Sequence, residues 1–182
     1  MIEVRWHGRG GQGAVTSVEL LAVAAIAAGK FAQGFPSFGP ERRGAPVAAF
    51  TRIDDKKINV RSGIYEPDVV LVLDASLIGL VNVIDGLKPN GKLIVNTHKT
   101  PDEIRKELNF KGTVATVDGT GIARKEMGVP IANTTMIGAL LKVIGSMELD
   151  AMKDAIERRF GRIAQKNLNA MKRAYDEIKI IN

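Results

Sequence analysis

The chain has 182 residues, 45% hydrophobic and 25% charged, with Lys+Arg 26 against Asp+Glu 20 and no cysteine. These proportions suit one globular domain spanning residues 1–182 and exclude collagen-like, disordered and disulfide-stapled classes; without cysteine the chain itself has no thiol nucleophile and no Cys-ligated zinc or iron–sulfur site. The net charge of +6 invites a polyanion, yet residues 151–182 supply +4 of it from eight basic and four acidic side chains, and the 5% of aromatic residues do not interleave with them as stacking platforms, so nucleic acid is not an expected partner.

In chain order, residues 1–6 read as a first strand, followed by a glycine-rich turn at Gly8 to Gly13 and a helix over 14–28 that is apolar nearly all round and stops at Gly29. Residues 31–44, with Gly34, Pro36, Gly39, Pro40 and Gly44, read as a long irregular connection, which is expected to be either functional or mobile. Strands over 45–53 and 57–61 joined at Asp54-Asp55 would form a hairpin. Residues 69–73 are a continuous apolar run that predicts a buried strand, with a covering helix over 76–85. A further buried strand follows at 92–95.

Thr100-Pro101-Asp102-Glu103 is a capping box with Thr100 as N-cap and Glu103 at N3. Residues 114–117 give one more strand, and helical pattern then dominates, over 120–127, 134–144, 148–160 and 163–178. In the last of these Ile163, Leu168, Met171, Tyr175 and Ile178 share one stripe. The order of elements predicts an α/β fold: a doubly wound domain with a mostly parallel sheet, a β-hairpin insertion and C-terminal helices. The N-terminus lacks the layout of a signal peptide, and the apolar run 14–28 falls short of the ~20 residues needed to span a bilayer, which points to a cytoplasmic protein without a membrane segment.

Three groups of residues could carry chemistry. Gly8-Arg9-Gly10-Gly11-Gln12-Gly13 matches G-x-G-x-x-G between a strand and a helix, which reads equally as an anion site of backbone N–H groups and a helix N-terminus or as a tight turn packed against a neighbour without a ligand. The acidic residue that would bind a dinucleotide ribose ~20 residues further on is missing, because residues 31–40 contain no Asp or Glu. The second group is Phe38-Gly39-Pro40-Glu41-Arg42-Arg43-Gly44, whose two arginine forks suit phosphate or carboxylate, or a solvated surface turn. The third is Asn133-Thr134 at a helix start, where Thr134 reads most simply as a cap. His7 and His98 are isolated from each other and from acidic clusters, so no metal site is expected, and no catalytic triad is visible in the spacing.

The run Arg5 to Gly13, the run Phe38 to Gly44, Pro67-Asp68-Val69-Val70-Leu71-Val72-Leu73-Asp74 and Pro130-Ile131-Ala132-Asn133-Thr134, in this order, resemble the gamma subunit of 2-oxoacid:ferredoxin oxidoreductases, the pyruvate or 2-ketoisovalerate type above all. The resemblance implies membership of a pyruvate:ferredoxin oxidoreductase (pyruvate synthase), which decarboxylates pyruvate oxidatively with coenzyme A, thiamine diphosphate with magnesium, and [4Fe–4S] clusters, and passes electrons to ferredoxin. It implies alpha, beta and delta-type partner subunits that carry the thiamine and the clusters. In keeping with that, Val117-Asp118-Gly119 is not the Gly-Asp-Gly signature of the thiamine-binding subunit. No catalytic residue is then expected in this chain. Its candidate cofactor-binding or subunit-interface residues are Gly8, Arg9, Gly10, Gly11, Gln12, Gly13, Phe38, Gly39, Glu41, Arg42, Arg43, Asn133 and Thr134, with Gly8 to Gly13 and Arg42-Arg43 facing the coenzyme A region.

Other readings are the corresponding subunit of a 2-ketoisovalerate, 2-oxoglutarate or indolepyruvate enzyme, a free-standing nucleotide-binding module, and a basic scaffold for polyanions. Dependence on partners has support of its own: the first helix is more apolar than a surface helix needs to be, and Phe31, Phe35 and Phe38 fall in a stretch where exposed rings would form costly patches. At an interface such rings become anchors; folded back on their own domain they would complete its core.

Overall fold

The computed structural model describes residues 1–37 and 43–182; of the candidate residues, Phe38, Gly39, Glu41 and Arg42 lie outside them. Strands β1 (Ile2–Arg9), β2 (Phe31–Pro36), β3 (Pro46–Asp54), β4 (Val69–Val72), β5 (Lys92–Asn96), β6 (Thr113–Val117) and β7 (Lys179–Ile181) form one sheet in the order β2-β3-β1-β4-β5-β6-β7. The central four, β1, β4, β5 and β6, run parallel, while β3 pairs antiparallel with both β1 and β2, and β7 antiparallel with β6. Val4, Trp6, Val69, Leu71, Ile94 and Ala115 turn to one side, against helices α1 (Ala14–Ala27), α4 (Asn133–Ile144) and α6 (Ala164–Glu177). Val70, Val72, Leu93, Val95 and Val114 turn to the other, under the crossover that follows β4 and helix α2 (Pro101–Leu108). Helices on both faces of a parallel core are the doubly wound arrangement that the order of elements predicts.

Local chemistry explains most boundaries. Thr100 accepts from the Glu103 N–H while Glu103 Oε2 accepts from the Thr100 N–H at 2.7 Å, so the predicted capping box starts α2. Helix α1 ends before Gly29, whose φ of 81° supplies the left-handed residue. Between α4 and α6 a Cβ on Gly138 would stand 1.9 Å from the Met171 carbonyl oxygen, so the absence of a side chain lets the two backbones touch.

Four expectations need correction. First, residues 31–36 are an edge strand: Phe31, Gln33 and Phe35 alternate on one face, and Gly34 lies so close to α1 that a Cβ would stand 2.5 Å from the Val18 carbonyl oxygen. Glycine and proline there mark close packing and a strand end, and the hairpin insertion is β2 with β3 instead of a pair closing at Asp54-Asp55. Second, residues 57–61 are not a strand. Asp54 Oδ1 accepts from the Lys56 N–H, and the chain turns away so that Ser62 and Gly63 carbonyls accept from Arg52. Third, 76–85 is a single 3-10 turn (Ala75–Leu77) followed by further turns, with Leu80 and Val81 donating to the Leu77 carbonyl and the Val83 and Asp85 carbonyls accepting from the Arg5 guanidinium. Fourth, the last helix ends at Glu177, Ile163 is 53% exposed, and the remaining tail adds β7 to the sheet.

Two more helices complete the chain. Helix α3 (Gly119–Met127) is capped by Asp118, whose Oδ1 accepts from the Gly121 N–H at 2.8 Å. Helix α5 (Lys153–Phe160) follows a 3-10 turn at Leu149–Met152, which splits the predicted 148–160 helix in two.

Candidate functional site

Strands β1 and β4 are parallel neighbours, and the chain leaves β1 for α1 on one face of the sheet and β4 for the crossover on the other, which opens a crevice between their carboxyl ends. The glycine motif sits there. Gly8 and Arg9 belong to the strand, paired with Val47 and Pro46, and the turn proper is Gly10 to Gly13. Gly11 (φ 92°) and Gly13 (φ 82°) take left-handed conformations that cost other residues about 1–2 kcal/mol.

The two arginine-glycine groups of the sequence meet at this point. Gly10 donates to the Ala45 carbonyl at 2.9 Å and Gly44 donates to the Gly10 carbonyl at 3.0 Å, which brings Arg43 alongside the turn. Asn133, at the start of α4, presses its side chain on Gly13, where a Cβ would meet Nδ2 at 2.3 Å. Thr134 does not cap the helix. It is fully buried, and its hydroxyl donates to Asn167 Oδ1 at 2.7 Å, tying α4 to α6. This corrects the reading of Thr134 as a cap: its polar group is spent inside the protein.

Arg9 and Gln12 point into the crevice and are held there. Arg9 Nε and Gln12 Nε2 donate to Asp74 Oδ2 at 3.0 and 2.9 Å, Arg9 Nη1 donates to the Gly44 carbonyl at 3.0 Å, and Gln12 Oε1 accepts from the Arg9 N–H at 2.8 Å. Burial works against the Asp74 charge, but hydrogen bonds from Ser76, Gln12 and Arg9 outweigh it and hold the carboxyl below its ordinary range. Beneath them His7 is pushed down to about 4 by burial and then by the Arg5 charge, against a hydrogen bond to Val83; its Nε2 accepts from Arg5 Nε at 3.1 Å. His7 is thus a neutral packing residue, and His98, 85% exposed, is a loop residue beside Asp118.

On the far side of the turn the N-terminus of α1 has no side-chain cap and no acidic residue in its first turn. It opens on a cavity of about 390 Å³ lined by Gly11, Gln12, Gly13 and Thr16, by Met127, Val129, Ile131 and Asn133, and by Arg159, Phe160, Ile163, Lys166 and Asn167. Apolar walls with two cations beside a helix N-terminus that has no side-chain cap suit an elongated ligand with an anionic end. The sequence offers little warning of Arg159, Phe160, Ile163 and Lys166. Their spacing runs through Gly161, which breaks the helix, so only the tertiary fold turns them to the glycine turn. Among the described residues no group of three or more His, Cys, Asp or Glu could hold a metal ion, and no helix is long and apolar enough to cross a membrane.

Comparison with known proteins places the chain in a family. Residues 3–177 match the family described as pyruvate ferredoxin/flavodoxin oxidoreductase. The chain is 52% identical over 179 residues, 97% of each chain, to the pyruvate/ketoisovalerate oxidoreductases common subunit gamma of Thermococcus kodakarensis. It is 51% identical to the pyruvate synthase subunit PorC of Methanocaldococcus jannaschii, over 98% of this chain and 97% of that one. The crystal structure of pyruvate oxidoreductase subunit PORC from Thermotoga maritima superposes with a TM-score of 0.90 at 41% identity, covering 100% of this chain and 98% of that chain. The chain belongs to the pyruvate ferredoxin/flavodoxin oxidoreductase family and is of its gamma-subunit type.

Proposed function

We propose that this chain is the gamma subunit of a cytoplasmic pyruvate:ferredoxin oxidoreductase (pyruvate synthase), packing against thiamine-binding alpha and beta-type subunits and a cluster-bearing delta-type subunit, and forming part of the coenzyme A region. The observation that carries the reading is the convergence of Gly10 to Gly13, Arg43 and Asn133 at the mouth of a cavity bearing Arg159 and Lys166. The thioester chemistry, the thiamine and the clusters then lie on partner subunits, in keeping with a chain that has no cysteine. This subunit's residues would bind and orient coenzyme A: backbone N–H groups and the two cations would hold phosphate, and Met127, Val129, Ile131 and Phe160 would cover an uncharged arm. Val23 and Ile26 on α1 and Phe31 on β2, each about half exposed, supply apolar surface for the partner subunits. Phe35 packs on Phe50 at 5.3 Å, with the Arg52 guanidinium over its ring.

The test is anaerobic reconstitution with the partner subunits, assayed by coenzyme A-dependent reduction of a viologen dye by pyruvate. Gly11→Val and Lys166→Gln should each raise the KM for coenzyme A with the KM for pyruvate unchanged. An unchanged coenzyme A KM in both, in complexes that assemble, refutes the placement. Activity with 2-ketoisovalerate, 2-oxoglutarate or indolepyruvate in place of pyruvate would identify the corresponding enzyme, since the other subunits set that choice.

A further inference from the structure

Asp74 stands at the end of β4, its side chain 23% exposed, and both its oxygens are used twice. Oδ2 accepts from Arg9 Nε and Gln12 Nε2, while Oδ1 accepts from the Ser76 N–H at 3.0 Å and from its hydroxyl at 2.6 Å. Gln12 in turn accepts from the Arg9 N–H, and Arg9 reaches Ser76 Oγ at 2.8 Å and the Gly44 carbonyl. One carboxylate therefore orients both polar side chains of the motif, and the ring of bonds ties the end of β1, the glycine turn and residues 43–45 to β4. The turn needs such a tether: left-handed glycines at 11 and 13 have no side chain of their own to fix the direction of their N–H groups.

We propose that Asp74 is the positioning residue of the glycine turn, acting through Gln12 and Arg9 to aim the Gly11 and Gly13 backbone at the ligand. The proposal rests on the reading of that turn as part of the coenzyme A region. Four donors converge on Asp74, so alanine there releases all of them, whereas asparagine keeps one oxygen for Gln12 and Arg9. In the reconstituted complex Asp74→Ala should raise the coenzyme A KM about tenfold, with a smaller fall in kcat and no change in the KM for pyruvate. Asp74→Asn should recover most of that loss. Gln12→Ala should reproduce the effect, and combining it with Asp74→Ala should add little, as for residues acting in one network.

Hydrogen exchange separates this proposal from the ligand reading it rests on. In Asp74→Ala and Gln12→Ala the amides of Gly10 and Gly44, bonded to the Ala45 and Gly10 carbonyls at 2.9 and 3.0 Å, should exchange faster than in wild type. Unchanged exchange and unchanged coenzyme A KM in both variants overturn the positioning role, as does a kcat loss that Asp74→Asn shares in full. Faster exchange with an unchanged coenzyme A KM upholds the positioning role and overturns the placement of coenzyme A.

Discussion

His7 makes the stability of this fold depend on pH in a way that can be worked from its surroundings. The ring is partly buried, with the Arg5 guanidinium on its Nε2, and its pKa falls from the ordinary 6.5 to about 4. Below pH 6.5 the unfolded chain takes up a proton that the folded chain refuses, so stability is full above 6.5 and is lost as pH falls toward 4. At about 1.4 kcal/mol for each factor of ten in proton affinity, the loss across that window is about 3 kcal/mol, a large fraction of the ~5–15 kcal/mol typical of a domain. Urea unfolding at pH 7, 6, 5 and 4.5 would measure it, with His7→Gln as reference because a carboxamide oxygen can still accept from Arg5. The wild type should lose stability more steeply than the variant, by about 1 kcal/mol per pH unit between 6 and 4.5. Parallel curves would refute the account of a histidine kept neutral by burial and by Arg5.

Three further predictions follow from packing. In Gly138→Ala the new Cβ would stand 1.9 Å from the Met171 carbonyl oxygen, so α4 and α6 must part; the expected cost is about 3 kcal/mol, read as a Tm lowered by roughly 6–12 °C. Gly145→Ala, with φ 61° and open space around it, should cost only the left-handed strain of about 1–2 kcal/mol, and equal losses in the two variants would count against close helix contact. Thr100→Ala removes the reciprocal cap of α2 and should cost about 1 kcal/mol of stability, read as a lower urea midpoint with m unchanged. Glu3→Gln leaves Arg52, 1% exposed, without its carboxylate at 2.8 Å; a loss of about 3 kcal/mol is expected, and a loss under ~1 kcal/mol would mean that Gln33, Ser62 and Gly63 suffice for the guanidinium.

The parts of the molecule that could be read from the chain are those fixed by neighbours in sequence. The capping box at Thr100 and Glu103, the glycine motif between strand and helix, and the apolar run of β4 each announce themselves within a few residues. What escaped was decided at long range. Residues 31–36 look like a loop because Gly34 and Pro36 are read as breakers, while the fold uses Gly34 to seat a strand against α1. The crossover after β4 has helical composition but folds as successive turns whose end is held by Arg5, a residue about 80 positions earlier. Asp74 could be seen as the last residue of an apolar run, but nothing local shows that Arg9 and Gln12 converge on it. The cavity walls from α5 and α6 were invisible for the same reason.

The same convergence bears on why a G-x-G-x-x-G motif here need not bind a dinucleotide. In a nucleotide-binding fold the crevice at the carboxyl ends of the strands stays open for the pyrophosphate, and an acid beyond the next strand holds the ribose. In this chain the x positions are Arg9, Gly11 and Gln12, and Arg9 and Gln12 fill the β1–β4 crevice by bonding to Asp74 and Ser76. Residues 31–40 supply no acid for a ribose. The open side of the turn is the opposite one, toward Arg159 and Lys166. Titration of the isolated chain with NADH or NADPH, followed by the quenching of Trp6 fluorescence and by calorimetry, should therefore show no binding tighter than ~1 mM, and coenzyme A should bind more tightly than either. Saturable micromolar binding of NADH would mean that the Asp74 network opens to admit a nucleotide, and the reading of the crevice as filled would fall with it.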